Sequence, residues 1–216
     1  MHSLFNMENP FWGGINKIID VVSLSIVWTL CCVPIVTIGP ACSALYYAVV
    51  KTVRKERGYA IKEFFKAFRG NLKKGMIIWL IMSVFSTAMI ISDVPMILSL
   101  INQTETSNVL YLVIFVLKAW VLVGLSNWIY PLLSRFEEKV VKLMEAALYL
   151  FFRNFFKTSI CVVFTVVAAV AVILEPLLLA VVPGAVTLML SFFVETGLGK
   201  LYREGEEAKQ EDLWYQ

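Results

Sequence analysis

The sequence has little charge and almost no histidine. Only 16% of its residues are charged, against roughly 25% in a typical soluble domain. Its one histidine, His2, cannot supply a metal site or a catalytic triad based on histidine. The four cysteines lie in or beside apolar segments without a C-x-x-C pair, so we expect small buried apolar residues rather than disulfides or metal ligands; they are Cys31, Cys32, Cys42 and Cys161.

Motifs that bind nucleotides are also missing. The chain contains neither a P-loop nor a Rossmann fingerprint. Its apolar segments hold few polar residues from which an intramembrane catalytic site could be built. We therefore expect a protein that is not an enzyme, with no catalytic residues, no cofactor and no metal.

The apolar residues that are present come in long blocks. They make up 59% of the chain, whose mean hydropathy is +0.77. A helix that crosses the bilayer needs about 20 mainly apolar residues. We therefore predict an all-α, polytopic helical membrane bundle in contact with the lipid bilayer, forming a single domain over residues 1–216, with about five transmembrane helices plus interfacial amphipathic helices. The predicted spans are approximately 18–38, 76–100, 109–133, 158–175 and 177–198.

Two of these boundaries leave alternatives open. The last apolar block can turn near Glu175-Pro176, with Pro183 as a kink in the fifth helix, or it can turn near Pro183-Gly184. The segment 18–53 can form one span, or a re-entrant hairpin that turns between Pro34 and Pro40. The apolar stretch after that turn has about 13 residues, a length more typical of re-entrant or interfacial segments than of full spans.

Basic residues are concentrated in two segments. Residues 51–74 hold nine of the nineteen lysines and arginines, residues 135–157 hold five, and the turn at 102–108 holds none. Since cytoplasmic loops carry the excess of basic residues, we predict that both segments are cytoplasmic loops and that the C-terminus is cytoplasmic. With five spans the N-terminus would be outside. Basic residues beside a membrane indicate contact with anionic lipid rather than nucleic acid.

Both basic segments end in a similar aromatic and basic stretch. Residues 64–73 and 148–157 align with Arg69 on Arg153 and Lys73 on Lys157. One interpretation is that they are the inner ends of long spanning helices. Another is a pair of helices in the headgroup layer that frame a docking face, and a third is a duplicated hairpin.

Three ionisable residues lie within predicted spans or at their ends. Lys118 is near the middle of the third span, Asp93 is in the second, and Glu175 is at the end of the fourth. Because an isolated charge is costly in hydrocarbon, we predict that Lys118 pairs with Asp93 or, as the second choice, with Glu175. Such a pair can be structural, or it can mark a substrate or ion pathway.

The N-terminal region contains several motifs, which are Asn9-Pro10 followed by Trp12, then Asp20, then Pro34-Ile35-Val36-Thr37-Ile38-Gly39-Pro40, and Ala44-Leu45-Tyr46-Tyr47. Over residues 4–75 the chain resembles the YesL family of bacterial integral membrane proteins, a domain of unknown function. The resemblance implies a multi-pass protein of the cell membrane of a Gram-positive bacterium. Because genes of that family often adjoin carbohydrate ABC transporter genes, it also implies an accessory role in carbohydrate uptake, with the permease subunits as partners.

A small independent transporter or channel is the alternative function. It would need a polar pathway through the membrane, for which Lys118 is the main candidate residue in the sequence.

Overall fold

The computed structural model describes residues 10–101 and 108–204, and side chains within 14–94 and 112–199. These residues are helical apart from short connections, with no strand among them. Seven α-helices follow one another along the chain: α1 (Pro10–Cys32), α2 (Ile38–Ala48), α3 (Ala60–Ile101), α4 (Asn108–Arg135), α5 (Val140–Arg153), α6 (Phe155–Leu174) and α7 (Val182–Glu204). A 3-10 turn at Ile35–Thr37 precedes α2, a π-helical segment at Val49–Arg54 extends it, and a second 3-10 turn at Pro176–Ala180 precedes α7.

The helices fit a membrane protein. Within the described residues, six segments are long and apolar enough to cross a bilayer. They are Gly14–Cys32, Ile35–Arg54, Ala60–Val94, Leu112–Arg135, Phe155–Leu174 and Val182–Gly199. The predicted all-α polytopic bundle is therefore confirmed, with one such segment more than the sequence indicated. The predicted spans at 76–100 and 109–133 lie inside α3 and α4, and the span at 158–175 overlaps α6.

The extra segment arises because the chain turns between α1 and α2. The single predicted span at 18–38 is wrong, since α1 ends at Cys32 and α2 begins at Ile38. The Thr37 hydroxyl closes the turn by hydrogen bonding with the carbonyls of Cys31 at 2.6 Å and Pro34 at 2.7 Å. The open question about residues 18–53 is thus answered in favour of a hairpin.

The hairpin also determines at which end of the bundle α1 begins. Lys17 Nζ lies 2.6 Å from the carboxylate of Glu56, in the connection that follows α2. The beginning of α1 is therefore at the same end of the bundle as this basic connection. The expectation of an external N-terminus assumed a single helix over residues 18–38, whereas the chain forms two helices in that region.

Helix α2 lies at the centre of the bundle. Eight of its eleven residues are buried, and it packs against α1, α3, α4 and α7. Most of the buried ones are small, and small residues let helix backbones approach closely inside membranes. The closest approach is to α3, where a Cβ on Gly39 would lie 2.3 Å from the Gly75 carbonyl oxygen. A Cβ on Gly75 would lie 2.8 Å from the backbone of Pro40.

The two basic segments are mostly helical rather than loops. Between α2 with its π-helical extension and α3 only residues 55–59 remain, and the aromatic and basic stretch 64–73 is the first part of the continuous helix α3. The second stretch, 148–157, is divided at Asn154 between the amphipathic helix α5 and the start of α6. The first stretch is thus the inner end of a long helix, whereas the second contains a separate short helix.

The last hairpin turns over residues 175–181. Helix α6 ends at Leu174, as a turn near Glu175-Pro176 predicts, but the fifth span does not begin at 177. Pro176 opens the 3-10 turn and Pro183 lies in the first turn of α7. The predicted kink at Pro183 is therefore wrong, since proline is tolerated in the first turn of a helix, where its missing N–H costs no hydrogen bond.

We expect Gly75→Ala to destabilise the protein and Gly70→Ala to leave it unchanged or slightly more stable. The new methyl group at position 75 meets the Pro40 backbone, and overpacking of this kind costs about 1–3 kcal/mol. At position 70 no atom lies within 4 Å, so alanine gains up to about 1 kcal/mol of helix propensity. Thermal unfolding in detergent measures both variants, which make the same chemical change in the same helix. Equal unfolding temperatures would contradict the close α2–α3 contact.

Candidate functional site

The predicted partner of Lys118 is confirmed. Lys118 Nζ on α4 pairs with Asp93 Oδ1 on α3 and also donates a hydrogen bond to Ser92 Oγ at 3.0 Å. The two charged side chains are 24% and 11% exposed, so neither is completely covered by protein. The second choice, Glu175, is exposed at the end of α6.

This ion pair lies on a part of the bundle that extends away from α2. After its contact with Pro40 at Gly75, α3 continues for another 26 residues, a length of about 39 Å. Beside it, every residue of α4 from Leu112 to Leu117 is exposed and apolar. We call residues 77–94 of α3 together with residues 112–123 of α4 the α3–α4 arm. Its outer surface is mostly apolar, with the hydroxyls of Thr87 and Ser92 also exposed, and the arm contains the Lys118–Asp93 pair.

A second ion pair, which sequence reasoning missed, lies deeper in the protein. Arg135 at the end of α4 pairs with Glu195 on α7, and Tyr46 Oη on α2 donates a hydrogen bond of 2.7 Å to the same carboxylate oxygen. The charged side chains are only 6% and 12% exposed. Three helices that are distant in sequence are thus joined at one carboxylate. The sequence offered one signal for this pair, since Glu195 is an acidic residue inside an apolar block. Its position near the end of a predicted span gave no reason to expect a buried partner.

The basic residues at the end of α2 are also paired. Lys51 Nζ lies 2.9 Å from Glu63 on α3, and both side chains are mostly buried. Arg54 Nη1 donates a hydrogen bond of 2.9 Å to the Ser191 carbonyl and lies over the Phe192 ring. These contacts explain why a helix that ends in two positive charges can occupy the centre of the bundle.

The N-terminal motif residues have structural roles where the structure describes them. Pro34 is exposed in the α1–α2 turn, Gly39 and Pro40 form the close contact with α3, and Asp20 is half-buried on α1. Asn9 lies outside the described residues, and the side chains of Pro10 and Trp12 do as well. The broken helix predicted from Pro34 and Gly39-Pro40 is therefore the hairpin turn.

Potential metal ligands are dispersed. Among the described side chains, within 14–94 and 112–199, no group of three or more His, Cys, Asp or Glu residues is close enough to hold an ion. The four cysteines are free thiols, and Cys161 is buried.

Comparison with protein families gives one match. A family model described as "Protein of unknown function, DUF624" matches residues 21–92, about a third of the chain. The matched region contains most of α1, the turn at Pro34, all of α2 and α3 as far as Ser92. Neither the curated proteins nor the solved structures contain a match to this chain.

We expect Arg135→Met or Glu195→Met alone to destabilise the protein by about 3–5 kcal/mol, because each leaves a buried charge without its partner. The double variant should recover most of this loss, since no charge is then buried. Lys142→Met is the control, because Lys142 and Glu138 form an exposed pair on α5 whose loss costs at most about 1 kcal/mol.

A double-mutant cycle on thermal or denaturant unfolding in detergent measures these values. Additive effects of the two single variants would show that Arg135 and Glu195 do not interact.

Proposed function

We propose that this protein is a non-enzymatic membrane subunit that binds the transmembrane helices of another membrane protein through the α3–α4 arm. The observation that carries the proposal is the Lys118–Asp93 ion pair, which lies on an apolar arm of two helices and is incompletely covered. Lipid covers apolar side chains well, but acyl chains offer no hydrogen bonds to an ammonium or a carboxylate. A protein partner can provide both.

The unused hydrogen-bonding capacity of the pair supports this proposal. A lysine ammonium has three N–H donors, and the described side chains accept two of them, at Asp93 and Ser92. A hydroxyl, amide or backbone carbonyl of a partner helix fits the third donor. Interhelical hydrogen bonds of this kind contribute to helix association in membranes by about 0.6–2 kcal/mol each.

For the identity of the partner, the support is the YesL-like resemblance of residues 4–75. It implies a role beside carbohydrate ABC transporters, and we propose their permease subunits as the partner, in the cell membrane of a Gram-positive bacterium. The proposal that the protein is not an enzyme is supported by the single histidine and by the pairing of its buried charges within the bundle. A small independent transporter is the alternative.

Site-specific photo-crosslinking tests the arm directly. A benzoylphenylalanine at Val116 on the arm should crosslink a permease subunit in native membranes, whereas the same group at Val163 on α6 should not. Val163 is a matched control for Val116, since both are valines whose surfaces are largely exposed, by 61% and 55% respectively.

Lys118→Met should reduce the Val116 crosslink severalfold because it removes the donors, while Lys142→Met should not change it. If Val116 crosslinks only lipid, the docking proposal is wrong. Solute flux through the purified protein in liposomes, abolished by Lys118→Met, would favour the transporter instead.

We expect both termini and the basic connection at 55–59 to be cytoplasmic, since basic residues favour that side. Near the start of α1, Lys17 pairs with Glu56 of that connection, and Arg54 just before it donates a hydrogen bond to the Ser191 carbonyl of α7. In a background without the native cysteines, Leu177→Cys should react with an impermeant maleimide on intact cells, and Tyr59→Cys should react only after permeabilisation. Both positions are about equally exposed, at 79% and 80%. An N-terminal epitope tag that antibodies reach on intact cells would contradict this topology.

A further inference from the structure

Between its helices the bundle has a partly open cavity of about 350 Å³, which the proposed docking does not use. Residues of α1, α2, α4, α6 and α7 line it, and these five helices contact one another in a closed ring. The volume is at the lower end of the range for ligand pockets and is about ten times the roughly 30 Å³ that one water occupies in the liquid. A single bound water does not account for it.

Two buried N–H donors among the lining residues lack a strong acceptor. They are Asn127 Nδ2 on α4, which has no hydrogen-bond partner, and Trp28 Nε1 on α1, which has no oxygen acceptor. The Oδ1 atom of Asn127 lies 3.3 Å from the Thr165 hydroxyl, which also lies 2.8 Å from the Cys161 carbonyl of its own helix. Beside the Trp28 indole lies the Cys42 thiol, a weak acceptor. An unsatisfied buried donor costs about 1–3 kcal/mol, so the Asn127 amide, together with the weakly paired Trp28 indole, favours a ligand that brings an oxygen acceptor into the cavity.

The remainder of the wall is largely apolar. Toward the 3-10 turn that precedes α7, the lining residues are alanine, valine, leucine and proline, with examples in Ala168, Val172 and Leu179. Water needs two to four polar partners at each position, and this part of the cavity offers few. The hydroxyls of Ser126 and Thr187 each lie within hydrogen-bonding distance of a carbonyl of their own helix. The cavity therefore suits a molecule that is apolar over most of its length and carries an oxygen acceptor.

We propose that this cavity binds a single lipid acyl chain through its ester carbonyl. The carbonyl oxygen accepts hydrogen bonds from the Asn127 amide and the Trp28 indole, and the hydrocarbon lies against the apolar wall. A neutral ester fits better than a free carboxylate, because no lysine or arginine is among the described residues that line the cavity. The surrounding bilayer provides such molecules at high concentration. This site does not include the α3–α4 arm, so it is independent of the proposed function.

Photolabelling in lipid nanodiscs tests the proposal. The probe is palmitate methyl ester with a diazirine in its chain, and peptide mapping locates the label. We expect saturable labelling of α6 and α7 at cavity positions. Ala168→Phe fills the space and should reduce labelling at least tenfold, whereas Val167→Phe, on the exposed face of the same helix, should leave it unchanged.

A second variant separates binding from folding. Asn127→Leu removes one hydrogen bond to the ester, so affinity should fall about fivefold to tenfold. Because it also removes an unsatisfied donor, its thermal stability in detergent should not fall. The matching alkane without the ester should bind the original protein with a similarly reduced affinity. Equal labelling in Ala168→Phe and Val167→Phe, equal affinity for ester and alkane, or label confined to the outer helix faces would overturn the proposal.

Discussion

The close contact between α2 and α3 is the constraint on which the other contacts depend. Where Gly39 and Pro40 meet Gly75, no side chain separates the two backbones. Because α2 is drawn against α3 in this way, its other faces are presented to α1, α4 and α7. Tyr46 can then reach Glu195, and Cys42 and Leu45 can form part of the cavity wall. A larger residue at this crossing would displace the helix at the centre of the bundle.

A second constraint is that lipid does not satisfy polar groups, so the chain must do so itself. Lys51, Arg54 and Arg135 follow this rule with partners contributed by α3 and α7. Polar groups that are not fully satisfied within the chain indicate where another molecule could bind. The partly covered Lys118–Asp93 pair lies on an outer surface, while the poorly paired donors of Trp28 and Asn127 lie in an inner one. For the first we propose a protein partner, and for the second a lipid ligand.

The fold was predictable from the sequence as far as hydropathy alone determines it. The positions of α3, α4 and α6 follow from the long apolar blocks. The pairing of Lys118 with Asp93 follows from the free-energy cost of an isolated ammonium in hydrocarbon. Helix α2 was only the alternative to a single span over 18–38, because Lys51 and Arg54 shorten its apolar run and their partners are distant in sequence. The Arg135–Glu195 pair was missed for the same reason, since each residue lies near the end of its own helix. Long-range contacts, which leave no periodic pattern, determine these features.

The unbroken course of α3 has a mechanical consequence. One helix of 42 residues carries the exposed basic residues Lys62, Lys66 and Arg69 near its start and the α3–α4 arm in its second half, with the tight crossing at Gly75 between them. The first half of the helix is held against α2 at several points, by the Glu63 pair with Lys51, by Phe64 in the core and by the contact at Gly75. The second half is therefore a rigid extension of an anchored base, and the packing of that base sets the direction of the arm.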